Sequence, residues 1–142
     1  MPIIRTFKEI DPKICVPVIK SIAKSLQHFA ETCEYNDACT LLQKLLSLQH
    51  RSISTDESAF LCVVNELVST YFMKNNFKQA SNVLNIVMEK GINLEDFEQG
   101  EIAEFHYNRG KVSAIMCKIF EATRIYHKHV SQHESHKHMN QH

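Results

Sequence analysis

Three histidines near the carboxyl end, His129, His133 and His136, are spaced four and three residues apart, so on a continuous helix their imidazoles would share one face and could hold a metal ion. Their surroundings argue against a dedicated site. From Ser131 to His142 the single large apolar residue is Met139, and a polar terminus with no core to order it is expected to be disordered. Neither a metal nor any other cofactor is expected. Five cysteines, Cys15, Cys33, Cys39, Cys62 and Cys117, include no CxxC pair and are odd in number, which speaks for reduced thiols rather than a secreted disulfide framework. Cys33 and Cys117 share a register just before an expected turn, where a small hydrophobe that packs would serve. His106, beside Tyr107, is the least implausible general base, but no orienting carboxylate is identifiable for it. There is no glycine-rich phosphate loop, nucleophile elbow or His-Glu-x-x-His element, so the chain is not expected to be an enzyme. Lys111, Lys118, Arg124, His127 and Lys128 gather toward the carboxyl end, where they offer phosphate contacts.

The elements that must carry these residues are helices. A chain of 142 residues, 44% hydrophobic, suits one domain, and three Gly with three Pro leave few places to build β-turns. Sixteen basic and sixteen acidic residues cancel, so no overall positive field points to nucleic acid. No apolar run approaches the ~18 residues of a membrane span, and Arg5, Lys8 and Glu9 interrupt the stretch where a signal peptide would need its apolar region. A cytoplasmic protein with no membrane partner is expected, the nucleus being the alternative compartment.

The stretch from Leu61 to Gly91 reads as a helical hairpin. Val64, Leu67, Val68 and Tyr71 share one helical face, as do Phe77, Ala80, Leu84 and Val87. Lys74-Asn75-Asn76 breaks the pattern between them, Gly91 ends the second helix, and Ser54 to Glu57 has capping-box spacing before the first. Sliding this unit by 42 residues aligns Tyr35, Phe77 and Ile119, then Ala38, Ala80 and Ala122, then Leu42, Leu84 and Tyr126, while Phe29 and Tyr71 meet Ser113. The pattern predicts an all-α fold of about three tandem hairpins over residues 17–52, 58–91 and 100–130. Residues 1–16, with Ile3, Ile4, Phe7 and Ile10 at helical spacing, form an N-terminal cap segment, and residues 131–142 a disordered His-rich tail. Pro17 is expected in the first turn of the first repeat helix, whose buried face is Ile19, Ile22, Ala23, Leu26, Phe29 and Ala30. Residues 34–37 make the first turn, and residues 92–97 a loosely packed linker.

Tyr107-Asn108-Arg109-Gly110-Lys111, followed by Ile119, Ala122 and Tyr126, resembles a tetratricopeptide repeat, and Phe77-Lys78-Gln79-Ala80 and Tyr35-Asn36-Asp37-Ala38 look like the same start of a second helix. The resemblance covers roughly residues 17 to 130. It departs from the family at Leu26 and Val68, where the motif prefers glycine, in lacking the usual proline after each second helix, and in its 42-residue period. Residues 60–72 are also similar to a helix in the repeat region of PCI-type subunits of mRNA-export, signalosome and proteasome-lid complexes. The resemblance implies a right-handed α-solenoid whose first helices line a concave, partner-binding groove.

Carried over on the alanine register, the groove positions are Lys20, Ala23 and Gln27, then Asn65, Ser69 and Phe72, then Tyr107, Lys111 and Ile115. Ala23 stands where the first lysine of the family's chaperone-tail carboxylate clamp would be, so that clamp is not expected. Nothing in the sequence supplies a helix to cover the last repeat, which leaves Ile119, Arg124, Ile125 and Tyr126 as a second contact surface and favours self-association or assembly. The expected function is a non-catalytic adaptor or scaffold subunit binding another protein through its groove and its uncapped end. The alternative is an RNA- or ribosome-associated helical-repeat factor using the basic, His-rich carboxyl end.

Overall fold

A computed structural model of the chain describes residues 12–32, 34–51 and 59–139, with the backbone alone at 12–15, 50–51 and 133–139. The described residues form α-helices and one short 3-10 turn, with no strand among them: α1 (Pro12–Thr32), α2 (Tyr35–Arg51), α3 (Phe60–Met73), α4 (Phe77–Glu89), the 3-10 turn Leu94–Asp96, and α5 (Gln99–Met139). The all-α expectation holds. The cap residues 1–11, Cys33 and the capping box at 54–57 lie outside the described residues.

The first two hairpins are built alike, down to individual hydrogen bonds. At the end of α3, Asn76 N–H donates to Tyr71 O (2.9 Å) and Asn75 N–H to Phe72 O (3.1 Å), with Asn75 at φ 55, which is a Schellman closure with asparagine in the left-handed position. Forty-two residues earlier Glu34 N–H donates to Phe29 O, and the first bonds of α2 and α4, Ala38 N–H to Glu34 O and Ala80 N–H to Asn76 O, keep the same offset. Asn76 thus closes one helix and opens the next. Gly91, at φ 64, follows α4 where the sequence places it. The second helix of each hairpin opens with an alanine in its first turn, Ala38 and Ala80, both 0% exposed.

α3 is the centre of the core. It packs on α1, α2, α4 and α5, while α1 also packs on α2 and α4 on α5. With neighbours on so many sides, nearly every residue from Phe60 to Tyr71 is buried, which is why its apolar residues run round the helix rather than along one stripe. Phe105 and Val112 carry α5 onto this core, and Phe97, expected in a loose linker, is also buried in it.

The third repeat departs from expectation. No turn interrupts α5 near Cys117; it continues for 41 residues, roughly 60 Å, so the described residues hold two hairpins and one long helix rather than three hairpins. No residue after Gly110 is glycine or proline, and Val112, Met116, Ile119, Tyr126 and Val130 keep helical phase across the expected break. For the same reason residues 131–139 extend α5 and are not the disordered tail expected there. At the other end α1 begins at Pro12, with Pro17 inside it, where one bond of the ladder is missing, so the boundary expected at residue 17 moves to 12. α2 begins at Tyr35, because Glu34 already caps it, and the expected turn at 34–37 shrinks accordingly.

Candidate functional site

The side chains expected to line a groove divide into those that hold the fold together and those left available. Lys20, on α1, reaches α5 with Nζ 2.8 Å from Glu101 Oε1 and 3.3 Å from Glu98 Oε1. Burial alone would lower its pKa, but the two carboxylates outweigh that and hold it above its usual value. Asn65 is 1% exposed, and its Nδ2 donates to the Glu101 carbonyl at 3.0 Å. It therefore ties α3 to α5 and is no groove residue. The physical reason is the nearly complete burial of α3 around Asn65, where an asparagine must find an internal partner. Ala23 is likewise fully buried. Gln27 donates to Glu31 Oε1 within α1 (3.1 Å), and Ser69 is half-buried.

Two of the expected residues are brought together. Lys111 Nζ lies 4.6 Å from the centre of the half-buried Phe72 ring, a cation–π contact between α5 and α3, and Phe72 in turn stacks obliquely on Phe77 at 5.8 Å. Tyr107 is exposed and Ile115 half-buried. These three positions of α5 lead directly into its second half.

From Cys117 to His129 every residue of α5 is exposed. Along the face that buries Phe105 and Val112 farther back, Ile119 is 49% and Tyr126 66% exposed, while Phe120 (73%) and Ile125 (46%) widen the apolar surface. Arg124 is exposed beside them, with Lys118, Glu121 and Lys128. A lone helix this short is marginal in water, and here it carries several large apolar side chains that the described residues leave exposed. The sequence reading includes Ile119, Arg124, Ile125 and Tyr126 but misses Phe120, which its position directly after Ile119 could have flagged.

Chemistry in the ordinary sense finds little to work with. Cys39 and Cys62 are buried, and burial, followed by the charges of Glu101 and Glu66, pushes the Cys62 thiol up to about 12, which keeps it protonated and unreactive. Cys117 is exposed, so the packing role expected for it does not hold, because the turn it was to precede is absent. His129 is exposed and shares one helix with the backbone of His133 and His136, whose side chains lie outside the described residues. Among the described residues no group of three His, Cys, Asp or Glu is placed to hold a metal, and no helix is long and apolar enough to cross a membrane.

A polar seam between α1, α3 and α5 escaped the sequence reading. Glu66 is half-buried there, and burial, then the nearby Glu104 carboxylate, raises its pKa above 4.5, with Lys24 opposing. The folded chain therefore keeps this proton to a higher pH than the unfolded chain. The resulting stability is fully present below pH 4.5 and is lost as pH rises through the raised folded value. Glu66→Gln should accordingly raise the melting temperature at pH 7 and leave it unchanged at pH 4. A substitution that lowers it at pH 7 would contradict this.

No protein-family model, no curated protein and no solved structure matches the chain.

Proposed function

We propose that the chain is a non-catalytic protein–protein interaction module, an adaptor or scaffold subunit of a larger assembly, whose docking element is the second half of α5. Two tetratricopeptide-like hairpins, stacked as in a right-handed solenoid, anchor the first half of that helix and hold the second half out from the core. The observation that carries the reading is the run of exposed apolar side chains at Ile119, Phe120, Ile125 and Tyr126 on a helix whose preceding turns bury Phe105 and Val112. Recognition is of the helix-in-groove kind, with Ile119, Tyr126 and Val130 as anchors at i, i+7 and i+11. The strip with Tyr107, Lys111, Phe72 and Ile115 continues it toward the expected groove, where Lys20, Gln27 and Ser69 serve mainly the fold. Intracellular residence agrees with the reduced-thiol reading.

The reading is tested with Ile125→Glu combined with Tyr126→Ser. Both positions are exposed, so the thermal melt should move by no more than about 0.5 kcal/mol in stability, whereas co-sedimentation with a larger assembly in gentle extracts of the producing cells should be lost. Retained co-sedimentation contradicts the reading. If the association instead weakens steeply with salt and follows RNA, the contacts are to phosphates and the partner is a nucleic acid.

A further inference from the structure

The outer face of α1 carries a shallow apolar groove in which Val18, Ile22, Leu26 and Phe29 surround Ser21 and Ser25. This face has counterparts inside the stack. Ile22, Ser25 and Phe29 correspond, 42 residues on, to Val64, Leu67 and Tyr71 of α3, and these correspond, 41 residues further, to Phe105, Asn108 and Val112 of α5. All six counterparts are buried, whereas Phe29 is among the exposed large hydrophobics. In each case a preceding hairpin covers them: Gln43 of α2 donates to the Tyr71 hydroxyl, and α5 packs on α3 and α4. The α1 groove is thus a copy, left uncovered by the described residues, of a face that is twice closed by helices, and its shape asks for a helix.

We infer that the second half of α5 from another copy of this chain fills the groove, so that copies join head to tail. This rests on the reading of that half-helix as a docking element. From Pro17 to Phe29 the groove runs roughly 18 Å, and from Ile119 to Val130 the stripe of α5 runs roughly 16 Å, a match within one helical turn. The serines leave room between the apolar ridges for the large side chains that α5 presents, and a serine hydroxyl can accept the Tyr126 hydroxyl proton. The contact must be intermolecular: the first half of α5 is fixed on α3 and α4, and the second half continues the same helix away from them. A formal net charge of zero does not hold copies apart. A single helix in a shallow groove buries less than the ~800 Å² per partner of a standard interface, so the association is weak, in the micromolar range. Because the two faces differ, the interface is heterologous and adds copies in an open series.

That asymmetry supplies the test. Val18→Glu disables the groove and Tyr126→Glu the helix, both at exposed positions, with circular dichroism reporting retained fold. In sedimentation at micromolar to hundreds of micromolar, the unsubstituted chain should show an average mass that keeps rising, and each variant alone should stay at the monomer mass. An equimolar mixture of the two variants should form a species of twice the monomer mass and stop there, since one intact groove and one intact helix remain. An unsubstituted chain that stays monomeric overturns the inference, whether its groove is empty or covered by its own residues 1–11. So does association lost with Tyr126→Glu but kept with Val18→Glu, which marks pairing of α5 with α5. In either case loss of partner recovery in the Ile125→Glu, Tyr126→Ser chain still supports α5 as a docking element for another protein.

Discussion

Replacing Phe105 by alanine should lower the stability of the folded chain by about 3–5 kcal/mol, the usual cost of deleting a fully buried aromatic ring. Phe105 is 0% exposed and is the largest side chain by which α5 enters the core formed with α3 and α4. Its other buried contributions are smaller: Asn108 and, two turns on from Phe105, Val112, together with the Asn65 amide bonded to the Glu101 carbonyl. A loss of that size is a large share of the ~5–15 kcal/mol that holds a domain together. The expected result is a denaturant midpoint far below that of the unsubstituted chain, with amides of residues 102–116 losing protection first. A change under 1 kcal/mol would mean that α5 is held by contacts other than those described.

Ala38→Leu and Ala80→Leu should each cost about 1–3 kcal/mol, and by similar amounts, because both insert three heavy atoms at a fully buried position in the first turn of a hairpin's second helix. Both alanines are 0% exposed and both follow a helix opening with the same hydrogen bond, from the alanine N–H to the carbonyl four residues back. Ala122 occupies the third position of the same 42-residue series but is exposed on α5, so Ala122→Leu should stay within about 0.5 kcal/mol of the parent. The three melts together measure the repeat. Equal, large losses at all three positions would restore a third hairpin, and a neutral Ala80→Leu would remove the second.

The two hairpins were legible because their signals are local. Lys74-Asn75-Asn76 interrupts helical phase at the point where the chain needs a left-handed residue, and a buried alanine recurs in the first turn of both second helices. The third hairpin was misread because one 42-residue offset was pressed through a region with no such interruption. That alignment set Ser113 against Tyr71, although Val112, one residue earlier, is the buried counterpart. Asn65 was misplaced by the same register argument; the surrounding Leu61, Val63, Val64, Leu67 and Val68 already described a stretch of helix with apolar neighbours on nearly every side, which leaves an asparagine among them no groove to face. The extent of α5 beyond Val130 was hidden by composition, since polar, His-rich sequence says little about a helix that enters it without a breaker. What the sequence did expose was the surplus of apolar side chains after Cys117.

The most direct measurement of the central claim is site-specific photo-crosslinking in the cells that make this protein, with a photoreactive residue at Tyr126 and, separately, at Lys78 on the exposed surface of α4. The account predicts a discrete adduct of defined mass from position 126, none from position 78, and disappearance of the first when Ile119 is also changed to glutamate. No adduct at position 126, or the same adducts from both positions, would contradict the assignment of α5 as the docking helix.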